Sequence, residues 1–438
     1  MIQPKLSAFD LTMIVVSLVI GIGIFRTPAI VAQSAGSPAV FFAAWIAGGL
    51  VSLCGALTFA EIGSRYHVAG GFYKLISDAF HPVFAFMLNW VIVLTYGAGN
   101  VGVALIGAEY INPFLPDALR GPVGVQATAI GTVLLFYVIN LLGIRSGART
   151  QNLLSGLKVV LMGVLCLGIV VPPAFMPASA AAVGAGKSDL TVVGTFGVSL
   201  IAVFYTYGGY QQVLNFGADI RNPARNAPKG IIAGILLIMA LYLGLNYAYY
   251  RQLGFEGLAG SKLIAADLAR ALFGEGGFTF FSLAIFISVL GYLNASLLSL
   301  PRVYYAMAED GILPPIFKRV NSRTQTQEFA LTFLVAIMLL SLFFLGTFEK
   351  IVSYVMSIDS LALASAAATL FIFRRRAKGQ DTHTGYRVKP YPLLPIIFVG
   401  FLLIVSVNVI ISDPVPAAIG WGLFLSGWPL YYLLKKVF

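Results

Sequence analysis

The sequence predicts an all-α membrane protein of about twelve transmembrane helices, at roughly 20 apolar residues per span, with both termini cytoplasmic. Three observations predict it. The 438 residues are 59% hydrophobic and 10% charged, with mean hydropathy +0.89. A soluble domain carries about 25% charged residues. The apolar runs are long and numerous. The basic residues gather on alternate connections. With the N-terminus inside, the inner segments hold 20 of the 28 Lys and Arg residues, among them Arg374, Arg375, Arg376, Lys435 and Lys436. That positive-inside bias explains the formal net charge of +11 and argues against a nucleic-acid partner.

In chain order the runs lie near residues 9–33, 38–63, 82–112, 123–143, 153–172, 192–217, 228–250, 277–300, 327–347, 351–373, 391–412 and 415–434. The longest connections, 173–191, 251–276, 303–326 and 374–390, are too short or too apolar for a soluble domain. One transmembrane domain, 1–438, is therefore expected. Two runs are interrupted by glycine. The first contains Val19-Ile20-Gly21-Ile22-Gly23-Ile24-Phe25, and the sixth Phe204-Tyr205-Thr206-Tyr207-Gly208-Gly209-Tyr210. Lipid offers no hydrogen bonds, so an unwound helix survives only where it lines a cavity or meets a ligand. Breaks at matching places suggest two five-helix repeats, 1–172 and 192–373, with 391–434 as two additional helices. An odd number of helices per repeat inverts the second copy, which brings both breaks to the midplane.

The broken ends have opposite polarity. The outer half of helix 1 begins after Gly23 and presents free N–H groups, which suit a carboxylate. The outer half of helix 6 ends near Tyr207 and leaves carbonyls, which suit a cation. An α-amino acid carries both groups on one carbon. The other reading of these glycines is helix packing, which suits Gly48, Gly49, Gly97 and Gly99.

These motifs resemble those of the amino acid–polyamine–organocation (APC) transporters. GIGIF in helix 1 is similar to their glycine-rich break. The run from Tyr205 to Tyr210, continued by Asn222-Pro223 through Pro228, resembles the helix 6 signature of the L-type amino acid transporter branch. Phe59-Ala60-Glu61-Ile62-Gly63 with Gly70-Gly71, and Arg302 through Pro314, fit the ends of helices 2 and 8. The resemblance spans nearly the whole chain. It implies a LeuT-type 5+5 inverted repeat with broken helices 1 and 6. It also implies that the backbone of Gly21, Ile22, Gly23 and Ile24 binds substrate, and that Tyr207 and Gly208 supply carbonyls. Tyr205 stands where the family has an aromatic gate, with Phe204 beside it as the alternative ring. Ile22 replaces a common Ser or Thr, and Ala218-Asp219 keeps one acid of a usual pair.

Intramembrane charges mark function by default. Lys158 lies well inside helix 5, seven residues after Gln151. In sodium-independent members of the resembling family such a lysine stands where sodium binds in coupled relatives. The alternative is a lysine snorkelling to the inner interface. Arg26 and Asp359 are read either as a structural pair or as an outer gate and side-chain contact. Glu61 and Glu109 lie near span ends and read as interfacial. No HExxH or Cys/His cluster points to a metal, and no cofactor is expected. Ser155 and Lys158 could form a hydrolase dyad, the weakest of the readings. The expected function is sodium-independent amino acid exchange by alternating access. Proton symport is the alternative, followed by a channel or a non-transporting sensor. Partners expected are an amino acid and membrane lipid. Residues 110–122 hold no cysteine, so a disulfide-linked heavy chain is not expected. The localisation expected is a plasma membrane of the bacterial inner-membrane kind.

Overall fold

A computed structural model describes residues 6–21, 23–67, 70–173, 192–344, 348–377, 383–412 and 414–437. Fifteen α-helices account for most of them. They are α1 (Ala8–Val19), α2 (Gly23–Ala35), α3 (Pro38–Arg65), α4 (Gly71–Ala79), α5 (Pro82–Ile111), α6 (Pro122–Leu141), α7 (Ile144–Leu165) and α8 (Val192–Thr206). There follow α9 (Pro223–Gly260), α10 (Ile264–Ser299), α11 (Pro301–Glu309), α12 (Glu328–Phe344), α13 (Phe348–Arg376), α14 (Leu393–Ser412) and α15 (Pro414–Val437). Each apolar run read from the sequence overlaps a helix or a broken pair of helices, although in the sixth only Val192–Thr206 is α-helical. Seven spans among the described residues are long and apolar enough to cross a membrane. An eighth is the α1–α2 pair, bent by 43°.

Local chemistry sets the helix starts. Ser7 and Asp10 form a reciprocal capping box at α1, with Ser7 Oγ accepting from Asp10 N at 3.2 Å. Pro38, Pro82, Pro122, Pro223 and Pro414 stand at first-turn positions, where a missing N–H costs nothing.

Two segments read as loops are helical. In 251–276, α9 continues to Gly260 and α10 begins at Ile264, with bends at Gly254 (φ 69°) and Gly274 (φ 70°). Arg251, Glu256, Arg270 and Glu275 dilute the hydropathy there. One face nevertheless buries Leu258, Ile264 and Leu268, and Gln252 donates to Gly168 O and Val171 O, both at 2.9 Å. The 303–326 segment contains most of α11.

The chain's first described residues close one end of the bundle. Leu6 N donates to Asp219 O and Arg221 N to Leu6 O, each at 2.9 Å. Beneath this bridge Arg302 Nε meets Asp219 Oδ2 at 2.7 Å, with both side chains almost wholly buried and the guanidinium 4.4 Å from the Phe216 ring. Glu61, expected at the interface, is fully buried instead. It accepts from Arg65, from Arg374 (Nη2 at 2.6 Å) and from Val388 N at 2.8 Å. The hydrophobic run hid this acid because two of its partners, Arg374 and Val388, lie more than three hundred residues away. Removing one partner of a buried pair leaves an uncompensated charge and costs about 3–5 kcal/mol. Asp219→Asn is therefore expected to lower the thermal unfolding midpoint in detergent sharply, whereas Asp117→Asn, in an exposed pair, should leave it in place.

Candidate functional site

Helix α1 ends at Val19. Ile20 leaves helical geometry (φ −75°, ψ 76°), and Gly21 N turns back to Val19 O at 2.8 Å. Helix α2 restarts at Gly23, and Ile22 lies outside the described residues. The first N–H groups of α2 have no partner within their own helix. Pro28, inside α2, withholds the N–H that would reach Ile24 O. Tyr249 Oη lies 3.5 Å from that carbonyl, and Tyr110 Oη donates to Phe25 O at 3.2 Å.

The second break faces the first. Helix α8 stops at Thr206. Tyr207 N shares Val203 O and Phe204 O at 3.1 Å, and Gly208 N reaches Tyr205 O at 3.1 Å. Gly209 then adopts φ 118° and opens a 3-10 helix over Tyr210–Asn215, where the sequence predicts an unbroken α-helical half. The two breaks touch. A Cβ on Gly209 would lie 2.3 Å from Leu18 O, and one on Gly23 would lie 2.8 Å from Thr206 Cγ2. Tyr242 of α9 bridges them, its hydroxyl 3.1 Å from Val19 O and 3.4 Å from Thr206 O.

Lys158 is wholly buried. Its Nζ donates to Ile20 O at 2.5 Å and Ser17 O at 3.3 Å, so α7 is tied to the unwound end of α1. Among the described residues no carboxylate pairs with it. The C-terminal carbonyls of α1 carry the compensating partial charge. Close approach is possible because Gly291 leaves room: a Cβ there would sit 3.0 Å from Lys158 Cε. Gln151, one α7 face below, links through Asn294 to Asn140, at 2.9 and 2.8 Å. Ser155 Oγ is held by Met13 O and Ser17 Oγ at 2.9 and 3.0 Å. The Ser155–Lys158 dyad therefore does not form: both head groups are engaged with α1.

The structure separates the two gate candidates. Phe204 is buried against Phe398 and Phe401 of α14, with ring centroids 6.1 and 5.0 Å away. Tyr205 faces α13, its hydroxyl 2.5 Å from Ser360 Oγ. The Tyr207 ring packs on Trp45 and Tyr242, which leaves only its backbone at the break. Arg26 lies 3.9 Å from Glu109, not in the pair expected with Asp359. The Asp359 carboxylate accepts instead from Tyr96 Oη at 3.5 Å. Arg26 and Glu109 fall on helices that pack near one another, which spacing along the chain does not reveal. Among the described residues no group of three or more His, Cys, Asp or Glu side chains could hold a metal.

Sequence reasoning missed Tyr242, Tyr292, Tyr96 and Asn294. Each is a polar tip in the middle of an apolar span, and that was the available signal: a buried hydroxyl or amide needs a partner.

Comparison with known proteins gives a consistent picture. The family model described as amino acid permease matches residues 6–434. The serine/threonine exchanger SteT of Bacillus subtilis is 28% identical over 435 residues, covering 98% of this chain and 96% of that one. The human large neutral amino acids transporter small subunit 2 is 26% identical over 431 residues, 96% of this chain and 78% of that one. The human cystine/glutamate transporter is 28% identical over 432 residues, 96% of this chain and 83% of that one.

Proposed function

The chain belongs to the amino acid permease family of the APC superfamily, and from that premise we propose that it is a sodium-independent exchanger of L-amino acids working by alternating access. Members of this family are transporters, not enzymes, and the chain is a multi-pass membrane protein that transports amino acids. The finer reading has twelve spans, both termini cytoplasmic, repeats at 1–172 and 192–373 in LeuT-type inversion, and 391–434 appended. A bacterial plasma membrane is the setting. The exchanger named among its relatives supports exchange.

In this reading the backbone from Gly21 through Ile24, with the first N–H groups of α2, receives the substrate carboxylate. The carbonyl end of α8, at Tyr207 and Gly208, receives the ammonium. Tyr205 closes over the bound molecule while Phe204 anchors α8 to α14. One observation carries the sodium independence: Lys158 Nζ already occupies the carbonyls of Ser17 and Ile20 at the break. A fixed cation there does the work that a bound metal ion would otherwise do. Alternating access then moves the broken helices against the remaining scaffold. Cys54 lies in α3 and Cys166 just after α7, outside 110–122, and the reading includes no disulfide-linked partner chain.

Counterflow in proteoliposomes tests this. Internal amino acid is expected to accelerate uptake of labelled amino acid at least about tenfold, as a ligand on the opposite side shifts the populations of the two states. Uptake should be equal in sodium and in choline buffers. Uptake that ignores internal amino acid and requires a proton gradient would replace exchange with symport.

A further inference from the structure

We propose that Asp359 reads the substrate side chain, and that the amino acid carried is one whose side chain ends in a cation. This rests on the reading of the two breaks as the site of the α-carboxylate and α-ammonium.

Several acids elsewhere among the described residues are paired with cations. Asp219 has Arg302, Glu61 has Arg65 and Arg374, and Asp310 has Lys74. Asp359 is the contrast. Among the described residues its one hydrogen bond comes from Tyr96 Oη at 3.5 Å, the long limit of such a bond. No cation pairs with it, and Arg26 is turned to Glu109. A carboxylate held inside a membrane with so little compensation is costly. A counter-charge that arrives with the ligand removes that cost.

Its surroundings place it beside the end of α8, at the second break. Its neighbour Ser360 holds the Tyr205 hydroxyl at the end of α8. The Tyr292 ring lies against the first break, 3.4 Å from where a Cβ on Gly21 would sit. In this proposal the rings of Tyr96, bonded to Asp359, and Tyr205, held by its neighbour Ser360, wall a box for an ammonium or guanidinium, attracted both by the carboxylate and by the ring faces. A neutral side chain would enter the same box and leave the acid unpaired.

L-lysine and L-norleucine share the same four-carbon chain and differ in the terminal ammonium, so they isolate this contact. With purified full-length protein, L-lysine is expected to raise the thermal midpoint at concentrations about 100-fold below those needed for L-norleucine, the scale of a desolvated ion pair. Uptake into proteoliposomes should show the same preference. Asp359→Asn should abolish the preference, and Tyr96→Leu should reduce it several-fold. If the asparagine variant does not fold, the wild-type ratio and the leucine variant decide. A wild-type protein that prefers norleucine, or an Asp359→Asn protein that keeps the lysine preference, overturns the inference while leaving amino acid transport intact. So does a proton-driven uptake of norleucine that Asp359→Asn eliminates, since Asp359 would then carry a proton. If no amino acid shifts the midpoint or is taken up, the reading of the breaks falls with it.

Discussion

Lys158→Met is expected to cut sodium-free uptake roughly 30-fold while the protein still folds. Methionine fills nearly the volume of the lysine stem, so the cavity cost that an alanine would add stays small. What it removes is the head group. Hydrogen bonds from a charged donor are worth about 1.5–3 kcal/mol each, and Lys158 makes two, to Ile20 O and Ser17 O. Those carbonyls belong to the unwound end of α1, so without Nζ they are buried unsatisfied. A loss of about 2 kcal/mol in the binding-competent arrangement of the break corresponds to roughly a 30-fold fall in transport at subsaturating substrate. Initial uptake rates in sodium-free proteoliposomes measure it. Lys158→Ala should be worse, because it adds a void beside Gly291. A methionine variant that transports like wild type would sink the role assigned to this lysine and leave it a space-filling residue.

Much of this arrangement is legible in the sequence because membranes restrict what a chain can do. The apolar runs became helices almost run for run. The glycine breaks at Gly21 and Gly208 fell where helices do stop, since backbone irregularity in lipid must have a reason. Lys158 stands out as a charge well inside its span, with snorkelling to the inner interface as the other reading. Its partners do not: carbonyl oxygens carry no signature in a sequence, and the link to Ile20 exists only once α1 has unwound. The tyrosines were illegible for a related reason. Tyr242, Tyr292 and Tyr96 look like any aromatic residue in an apolar run until the helices are packed. The gate is a mixed case. Tyr205 and Phe204 are adjacent and chemically alike, and only the position of α14 sends Phe204 into the core. Of the two readings of Arg26, the pair with Asp359 is not formed, because which acid Arg26 meets depends on helix rotation, which periodicity alone does not fix. Residues 251–276 read as a loop because six charges mask an amphipathic pattern.

The second large effect belongs to Gly209→Ala. Two independent costs meet at this position. A φ of 118° lies where an L side chain is strained, at about 1–3 kcal/mol. The new methyl would also sit 2.3 Å from Leu18 O and 2.8 Å from Leu18 C, and backbone in the last turn of α1 cannot swing aside as a flexible side chain could. Relieving the overlap means moving the two breaks apart, which costs about 1–3 kcal/mol more. That motion opens the Tyr242 bridge between Val19 O and Thr206 O. The expected result is a drop in the thermal midpoint together with loss of substrate-induced stabilisation, because the donors on α2 and the acceptors on α8 no longer address one molecule. Gly208→Ala separates proximity to the site from contact between the breaks. Its nearest neighbour is Tyr205 O at 3.1 Å, within its own turn, so the same substitution one residue earlier should be far milder. Equal losses at Gly208 and Gly209 would mean that the touching of the two broken helices has no special part in holding the substrate.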